Sequence, residues 1–206
     1  MDRESHWNHV YKTKSEDAVS WYQRNPAHSV AYITKHAEPS KTVIDVGAGA
    51  SFLVDTLLDV GYENLIVLDV SSSALEVAKK RLGSRADLVQ WVVADVTKKP
   101  ELPLTDLWHD RAVLHFLTEA EDQVAYRDLV TSTLSPSGHL VLATFALDGP
   151  ERCSGLSVQR HDGASLGKLL GLEFELLNED REIHVTPTGT EQRLCWTVFR
   201  RRAAEP

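Results

Sequence analysis

Four short apolar runs in this chain each lead into an aspartate, and that recurrence constrains the fold more than any other feature. "TVIDVGAG" (Thr42 to Gly49) carries Asp45 ahead of Gly47 and Gly49, and "NLIVLDV" (Asn64 to Val70) closes on Asp69. "LVQWVVADV" (Leu88 to Val96) closes on Asp95, and "DLWHDRAVLHFL" (Asp106 to Leu117) reaches Asp110. Continuous apolar runs of this length, bounded by turn residues, read as strands buried on both faces. Between them the apolar spacing becomes helical. Phe52, Leu53, Leu57 and Leu58 recur on one face after the first run, and the serines of "SSSALEVAKKRLG" can cap a helix that Gly83 closes. A further helix is expected over 119–134, ending before "SPSG", and "HLVLATFAL" (His139 to Leu147) is a fifth strand. Alternating strands and helices imply a mostly parallel sheet with helices on both faces, an α/β fold. The tail "EFELLNEDREIHVTPTGTEQRLCWTVFRR" departs from that pattern, as two strands about a Thr, Pro and Gly turn. It is expected to add an antiparallel hairpin at the sheet edge, making seven strands.

A chain of 206 residues, 42% hydrophobic, can bury one sizeable core, so residues 1–206 are expected to form a single domain with 1–40 as an N-terminal helical segment and 41–206 as the core. No apolar run approaches the ~18 residues of a membrane helix, and the polar opening "MDRESHWNHVYK" is unlike a secretory signal. A formal charge of −8, from 22 basic against 30 acidic side chains, argues against a nucleic-acid backbone as partner. Cys153 and Cys195 lack metal-ligand spacing and fit free thiols in a reducing compartment. The expectation is a cytoplasmic protein that uses no metal and engages neither nucleic acid nor membrane.

In open parallel sheets ligands lie beyond the carboxyl ends of the strands, where this sequence places its acids. Gly47 and Gly49 let backbone approach a ligand, and a helix beginning near Ser51 would offer free amides. A dinucleotide fingerprint would need glycine where the chain has Phe52, which sets back a nicotinamide enzyme. What remains is a ligand with a ribose for Asp69, an amino or cationic group for the loop near Asp45, and an adenine amino group for Asp95. Asp69 follows Asp45 at close to the ~20-residue interval such sheets use between a glycine loop and a ribose acid. Taken alone, Asp69 or Asp95 reads equally well as the N-cap of the next helix.

Those residues together resemble the class I S-adenosylmethionine-dependent methyltransferases. "VIDVGAGAS" resembles their first motif, with Asp45, Gly47, Ala48 and Gly49 in the positions that meet the donor; "VLDVS" resembles the ribose-binding acid, with Asp69 and Val70, and "ADV" the adenine contact, with Asp95 and Val96. The resemblance implies a Rossmann-like fold, S-adenosyl-L-methionine as cofactor and a reversed seventh strand in the terminal hairpin. His109, Asp110 and Arg111 would then turn over the end of a fourth strand finished by Leu107 and Trp108, facing the donor. Asp110 or His109 could take a proton from the acceptor where one must leave. His115, in "AVLHFL", reads instead as a satisfied core or helix-face histidine.

The N-terminal segment is dense in aromatics. Trp7 and Tyr11 are four apart and would share a helix face, Asn25 and Pro26 break the chain, and "AHSVAYITKHA" resumes a helical pattern. "W-x-x-x-Y" followed by "SWYQ" is similar to a branch of class I enzymes that includes protein-lysine methyltransferases of elongation factor and citrate synthase. The resemblance implies donor contacts from Trp7, Tyr11 and Trp21, in a lid whose ring faces attract a sulfonium, and from Arg111 beside Asp110. "DRAVLHF" lacks the acidic and threonine residues of the lysine enzymes, so the first expectation is a small-molecule acceptor, the second a protein lysine, and the third a non-catalytic donor-binding regulatory domain.

Overall fold

The computed structural model describes residues 2–203. Five parallel strands, β1 (Thr42–Val46), β2 (Asn64–Asp69), β3 (Val89–Val93), β4 (Thr105–Arg111) and β5 (Leu134–Phe145), alternate with helices. A short hairpin of β6 (Arg152–Cys153) and β7 (Leu156–Ser157) stands apart, and the chain ends in β8 (Phe174–Val185) and β9 (Glu191–Arg201). The seven-stranded sheet has the order β3-β2-β1-β4-β5-β9-β8, with β9 inserted antiparallel between β5 and β8. This is the Rossmann-like α/β architecture with a C-terminal antiparallel hairpin that the sequence pattern implies.

Helices α1 (Arg3–Thr13) and α2 (Ala27–His36) precede the sheet; α3 (Leu53–Asp59), α4 (Ser72–Leu82), α5 (Ala120–Thr133) and α6 (Gly163–Leu170) connect its strands. Local chemistry fixes their ends. The Ser71 hydroxyl accepts from the Ala74 amide at 3.1 Å to open α4, and Gly83, at φ 59°, closes it. Asp162 and Ser165 form a reciprocal cap on α6, a helix the sequence pattern did not announce.

Two apolar layers cover the sheet. Leu107 of β4 packs with Ile33, Leu53 and Leu75, from α2, α3 and α4, and with Trp196 of β9. Its neighbour Trp108 packs on the opposite face with Tyr126 and Leu129 of α5 and Leu166 of α6. Alternation of side chains along a strand therefore decides which layer each β4 residue joins.

The structure moves several expected boundaries. β3 stops at Val93, so Asp95 lies beyond the strand and caps a 3-10 turn over Val96–Lys98, accepting from the Thr97 amide at 2.8 Å. β4 does not end at Trp108 but continues through His109 and Asp110 to Arg111, because each keeps its parallel pairing to Val141, Leu142 and Ala143 of β5. β5 begins at Leu134, running through "SPSG" across a register shift rather than after it. Among the described residues no helix is long and apolar enough to cross a membrane.

Candidate active site

At the carboxyl ends of β1, β2 and β4 a cavity of about 910 Å³, measured out to its open mouth, is lined by Gly47, Asp69, Val70, Asp95, Val96 and Arg111. Trp7, Tyr11 and Trp21 from the N-terminal segment line the same space. Edge-to-face stacking holds this roof: Trp7 lies 5.6 Å from Trp21 and 5.1 Å from Phe116, and the Trp21 indole N–H donates to the Tyr11 hydroxyl at 3.1 Å.

The glycine loop is shaped by close approach. Gly47 sits at φ 64°, where a Cβ would lie 1.8 Å from Val113 Cγ2; at Gly49, φ 57°, a Cβ would lie 2.0 Å from the Tyr11 hydroxyl oxygen. Only a residue without a side chain fits either place. Some of the amides here are already taken: Gly47's donates to Leu68, Ser51's to Ala48 and Leu53's to the Ser51 hydroxyl, and these hold the loop's own shape. Arg81 of α4 clamps the far side, donating to the Ala50 and Ser51 carbonyls at 2.9 and 2.7 Å while pairing with Asp55 and Glu16. Phe52, where a dinucleotide loop would carry glycine, is held between the guanidinium groups of Arg24 and Arg81 at 4.2 and 4.0 Å.

Asp69 is buried at the end of β2. Its two oxygens accept from the Gly49 and Ser71 amides at 2.8 and 2.7 Å, so it braces the glycine loop as well as lining the cavity. Burial pushes its pKa up to about 6 against the lowering effect of those amides. Asp95 does two things at once: one oxygen caps the 3-10 turn through Thr97, and the other faces Arg3 at 3.5 Å.

The fourth strand requires a correction. His109 and Asp110 do not turn over the strand end toward the cavity; they lie within β4, 1% and 0% exposed, on opposite faces. Asp110 points toward α5, where it accepts from the Tyr126 hydroxyl at 2.5 Å and from the Val113 and Leu114 amides at 2.8 and 3.2 Å. All of its visible partners are structural, and burial raises its pKa to about 6. It is a strut for the β4 turn, not a base within reach of the cavity. His109 pairs in register with Asp45 on the neighbouring strand, so its Nδ1 meets the Asp45 carboxylate at 2.7 Å and its Nε2 the Ser29 hydroxyl of α2 at 3.0 Å. Both ring nitrogens are occupied. Asp45, His109 and Ala48 line a second, adjoining cavity of about 530 Å³, which shares Tyr11, Trp21, Gly47 and Arg111 with the first. His115 is core, as expected, but only half satisfied: its Nδ1 accepts from the Phe145 amide at 3.3 Å, its Nε2 has no partner among the described residues, and burial depresses its pKa to about 3.

The sequence reading missed Arg3, Val113, Phe116, Phe145, Gln192 and Leu194, which also line the first cavity. Phe145 and Leu194 are register partners on β5 and β9, so a closer count along those strands would have placed them side by side. Nothing in the sequence marks Arg3.

A family model for a methyltransferase domain matches residues 37–179, more than half of the chain. The chain belongs to the class I S-adenosylmethionine-dependent methyltransferases. Among curated proteins it is 25% identical over 125 residues to the mouse (Mus musculus) eEF1A lysine and N-terminal methyltransferase, an alignment covering 60% of this chain and 18% of that protein. The chain thus spans about a fifth of the length of that relative. Solved structures share the fold at low identity. A methyltransferase from Anabaena variabilis superposes with a TM-score of 0.77 at 18% identity, covering 97% of this chain and 93% of that one. The Burkholderia thailandensis 1,6-didemethyltoxoflavin-N1-methyltransferase, with its substrate and S-adenosylhomocysteine bound, gives 0.67 at 18% identity, covering 94% and 81%.

The residues present suit the family's methyl donor. Asp69 offers a carboxylate held by two amides at the cavity wall, Val70, Val96 and Leu117 give apolar surface for a purine, and the side-chain-free Gly47 leaves the backbone bare. Beside that loop stands the Asp45 carboxylate, held by His109.

Proposed function

We propose that this methyltransferase acts on a small-molecule acceptor taken up wholly inside the cavity. The observation that carries the reading is the lining of the cavity's β5 and β9 side. There Phe116, Phe145, Cys153 and Leu194 form an apolar end under the Trp7 and Trp21 roof, three strands from Asp69, and among the described residues no carboxylate lines that end. Asp69, Val70, Asp95 and Val96 would hold the nucleoside of S-adenosylmethionine, with Asp45 and the glycine loop toward its amino-acid end and Trp7, Tyr11 and Trp21 above it.

Bound there, S-adenosylmethionine would supply a methyl group already activated by its sulfonium. The chain's share of the work is then alignment and exclusion of water, which the aromatic roof and the apolar end provide. Among the described residues no proton acceptor is poised in the acceptor half: Asp110 faces α5, His109 is engaged at both nitrogens, and burial pushes the Cys153 thiol's pKa up. His109 stands in this reading as a brace for Asp45.

A second reading, methylation of a protein lysine or N-terminus, is favoured by the mouse relative. Against it, a lysine ammonium entering the acceptor half would meet the Arg111 guanidinium and no acid. A cytoplasmic location fits the two buried free thiols. The test is incubation of the protein with methyl-labelled donor and a cell extract, then separation of label by size. Enzyme-dependent label in small species supports the proposal, label on protein promotes the second reading, and donor binding without transfer points to a regulatory domain.

A further inference from the structure

Arg111 is a cation that, among the described residues, has no carboxylate partner. The side chain sits where the two cavities meet, yet its one hydrogen bond among the described residues runs from Nη1 to the Trp21 carbonyl at 3.0 Å. Nε is shut away from solvent with no acceptor. Among the described residues no carboxylate lies within ion-pair distance of its guanidinium nitrogens. Glu182 and Asp45 are near enough to favour its charge, but Glu182 is taken by Gln23 at 2.9 Å and Trp196 at 2.7 Å, and Asp45 by His109. A guanidinium has five N–H donors, and leaving a buried charged donor unmatched is costly. Such a group in a cavity wall is built to meet an anion.

The acceptor half also contains a cation and no free base, and these two facts explain each other. We propose that Arg111 is the docking residue for the acceptor, and that the acceptor is a small organic anion, a carboxylate, thiolate or acidic phenolate, with an apolar body fitting against Phe116, Phe145 and Leu194. The inference rests on the small-molecule reading above and names its substrate class. An anionic acceptor attacks the methyl carbon with its own electron pair, the sulfur–carbon bonding pair stays on sulfur, and the products are the neutral methylated acceptor and S-adenosylhomocysteine. No proton moves, so no base is required. Placed between the guanidinium and the donor's sulfonium, the anion offsets both positive charges, whereas an ammonium would add a third.

A carboxylate could come instead from the donor's own amino-acid end, and the experiment separates the two sources. Protein loaded with S-adenosylhomocysteine is titrated calorimetrically with benzoate, benzyl alcohol and benzylamine, three bodies of similar size and different charge. Binding in the order benzoate, alcohol, amine is expected. Arg111→Gln should weaken benzoate about 10- to 100-fold and leave the alcohol unchanged, and Arg111→Lys should recover part of the loss. The variants' affinities for S-adenosylhomocysteine and for 5′-methylthioadenosine, which lacks the amino-acid carboxylate, should fall to the same small extent, through loss of the Trp21 tether alone, and measurable binding of both establishes that the site is folded. Equal binding of the three probes, binding of none, or preference for the amine overturns the proposal and leaves the methyltransferase reading standing. Loss of S-adenosylhomocysteine affinity well beyond that of methylthioadenosine also overturns it, by assigning Arg111 to the donor's carboxylate. Failure of wild type to bind S-adenosylhomocysteine would bring down the reading beneath it.

Discussion

In its proposed role as the ribose acid, Asp69 would tie donor binding to pH. Burial raises its pKa from 3.8 to about 6, while the Ser71 and Gly49 amides hold it below where burial alone would put it. Because the folded state holds this proton more tightly than the unfolded chain, its ionisation opposes folding. The penalty is absent below pH ~3.8, grows as pH rises to about 6 and is then constant, at about 3 kcal/mol for a shift of this size. Binding runs the opposite way. In the proposed role the carboxylate accepts the donor's ribose hydroxyls, and two such charge-assisted bonds are worth about 3 to 6 kcal/mol together. Affinity for S-adenosylhomocysteine should therefore be flat above pH ~6 and fall about tenfold per unit below it, as binding comes to require loss of a proton. Titration calorimetry between about pH 5 and about pH 8, on wild type and Asp69→Asn, measures this. The variant should bind weakly with no such slope. A flat wild-type profile, or the same slope in the variant, would refute both the pKa and the ribose assignment.

Three further substitutions probe the scaffold beneath the site. Asp110→Ala leaves the Tyr126 hydroxyl and two amides buried without an acceptor, so denaturant melts should show a loss of about 3 to 6 kcal/mol; intact stability with lost turnover would instead make Asp110 a base. Gly47→Ala must adopt φ 64° and push Val113 aside, which should abolish donor binding; adding Val113→Ala should relieve the clash but not the ~1 to 2 kcal/mol of backbone strain, read from the stability of the two variants. Arg81→Ala removes both carbonyl bonds and both ion pairs of the loop clamp and should cost about 1 to 3 kcal/mol, given the partial exposure of the carboxylates; Arg81→Lys should recover little, since one ammonium cannot span Ala50, Ser51 and Asp55.

Period carried most of the fold and failed at predictable points. The inner strands β1, β2 and β4 were legible because two-sided burial makes each a largely apolar run, and Asp45, Asp69 and the glycines stand at ends those runs define. The fourth strand was misread because His109, Asp110 and Arg111 look like a turn. The polarity of His109 and Asp110 is satisfied inside the fold by Asp45, Ser29 and Tyr126, and Arg111 is met in part by the Trp21 carbonyl, partners from 16 to 90 positions away that no local pattern reveals. Had the strand been extended, period two alone would have put His109 and Arg111 on one face and Asp110 on the other. The separation of brace from site was thus implicit in "DLWHDR" once its end was known. Asp95 shows the opposite case. The capping role and the cavity-lining role were weighed as rivals, and one carboxylate fills both because its two oxygens face different ways.

The aromatic roof borders the mouth of the cavity, and its bonding indicates how it can lift to widen the way in for a ligand. Helix α1 has 11 residues and fully buries only Val10, with Trp7 and Tyr11 half-buried on Trp21 and Phe116, so apolar burial holds it far less than it holds a central strand. Polar tethers add to that packing: Asn8 of α1 accepts from the Ser71 hydroxyl and Ser73 amide, and in the segment after the helix Arg81 reaches Glu16, His184 donates to the Ser20 carbonyl, and Arg111 donates to the Trp21 carbonyl. Each can be exchanged for water at a net cost of about 1 kcal/mol, whereas freeing β1 would expose Val43, Ile44 and Val46, none of which has measurable exposure. Opening of α1 should therefore be a local event, several kcal/mol cheaper than global unfolding. Hydrogen exchange should show the α1 amides protected far less than those of β1, β4 and β5, and S-adenosylhomocysteine should slow α1 exchange by a factor that grows with its concentration, since ligand beneath the roof stabilises only the closed state. Equal protection of α1 and the central strands, or α1 exchange indifferent to the ligand, would mean that the N-terminal segment is fixed packing and that ligands enter by another route.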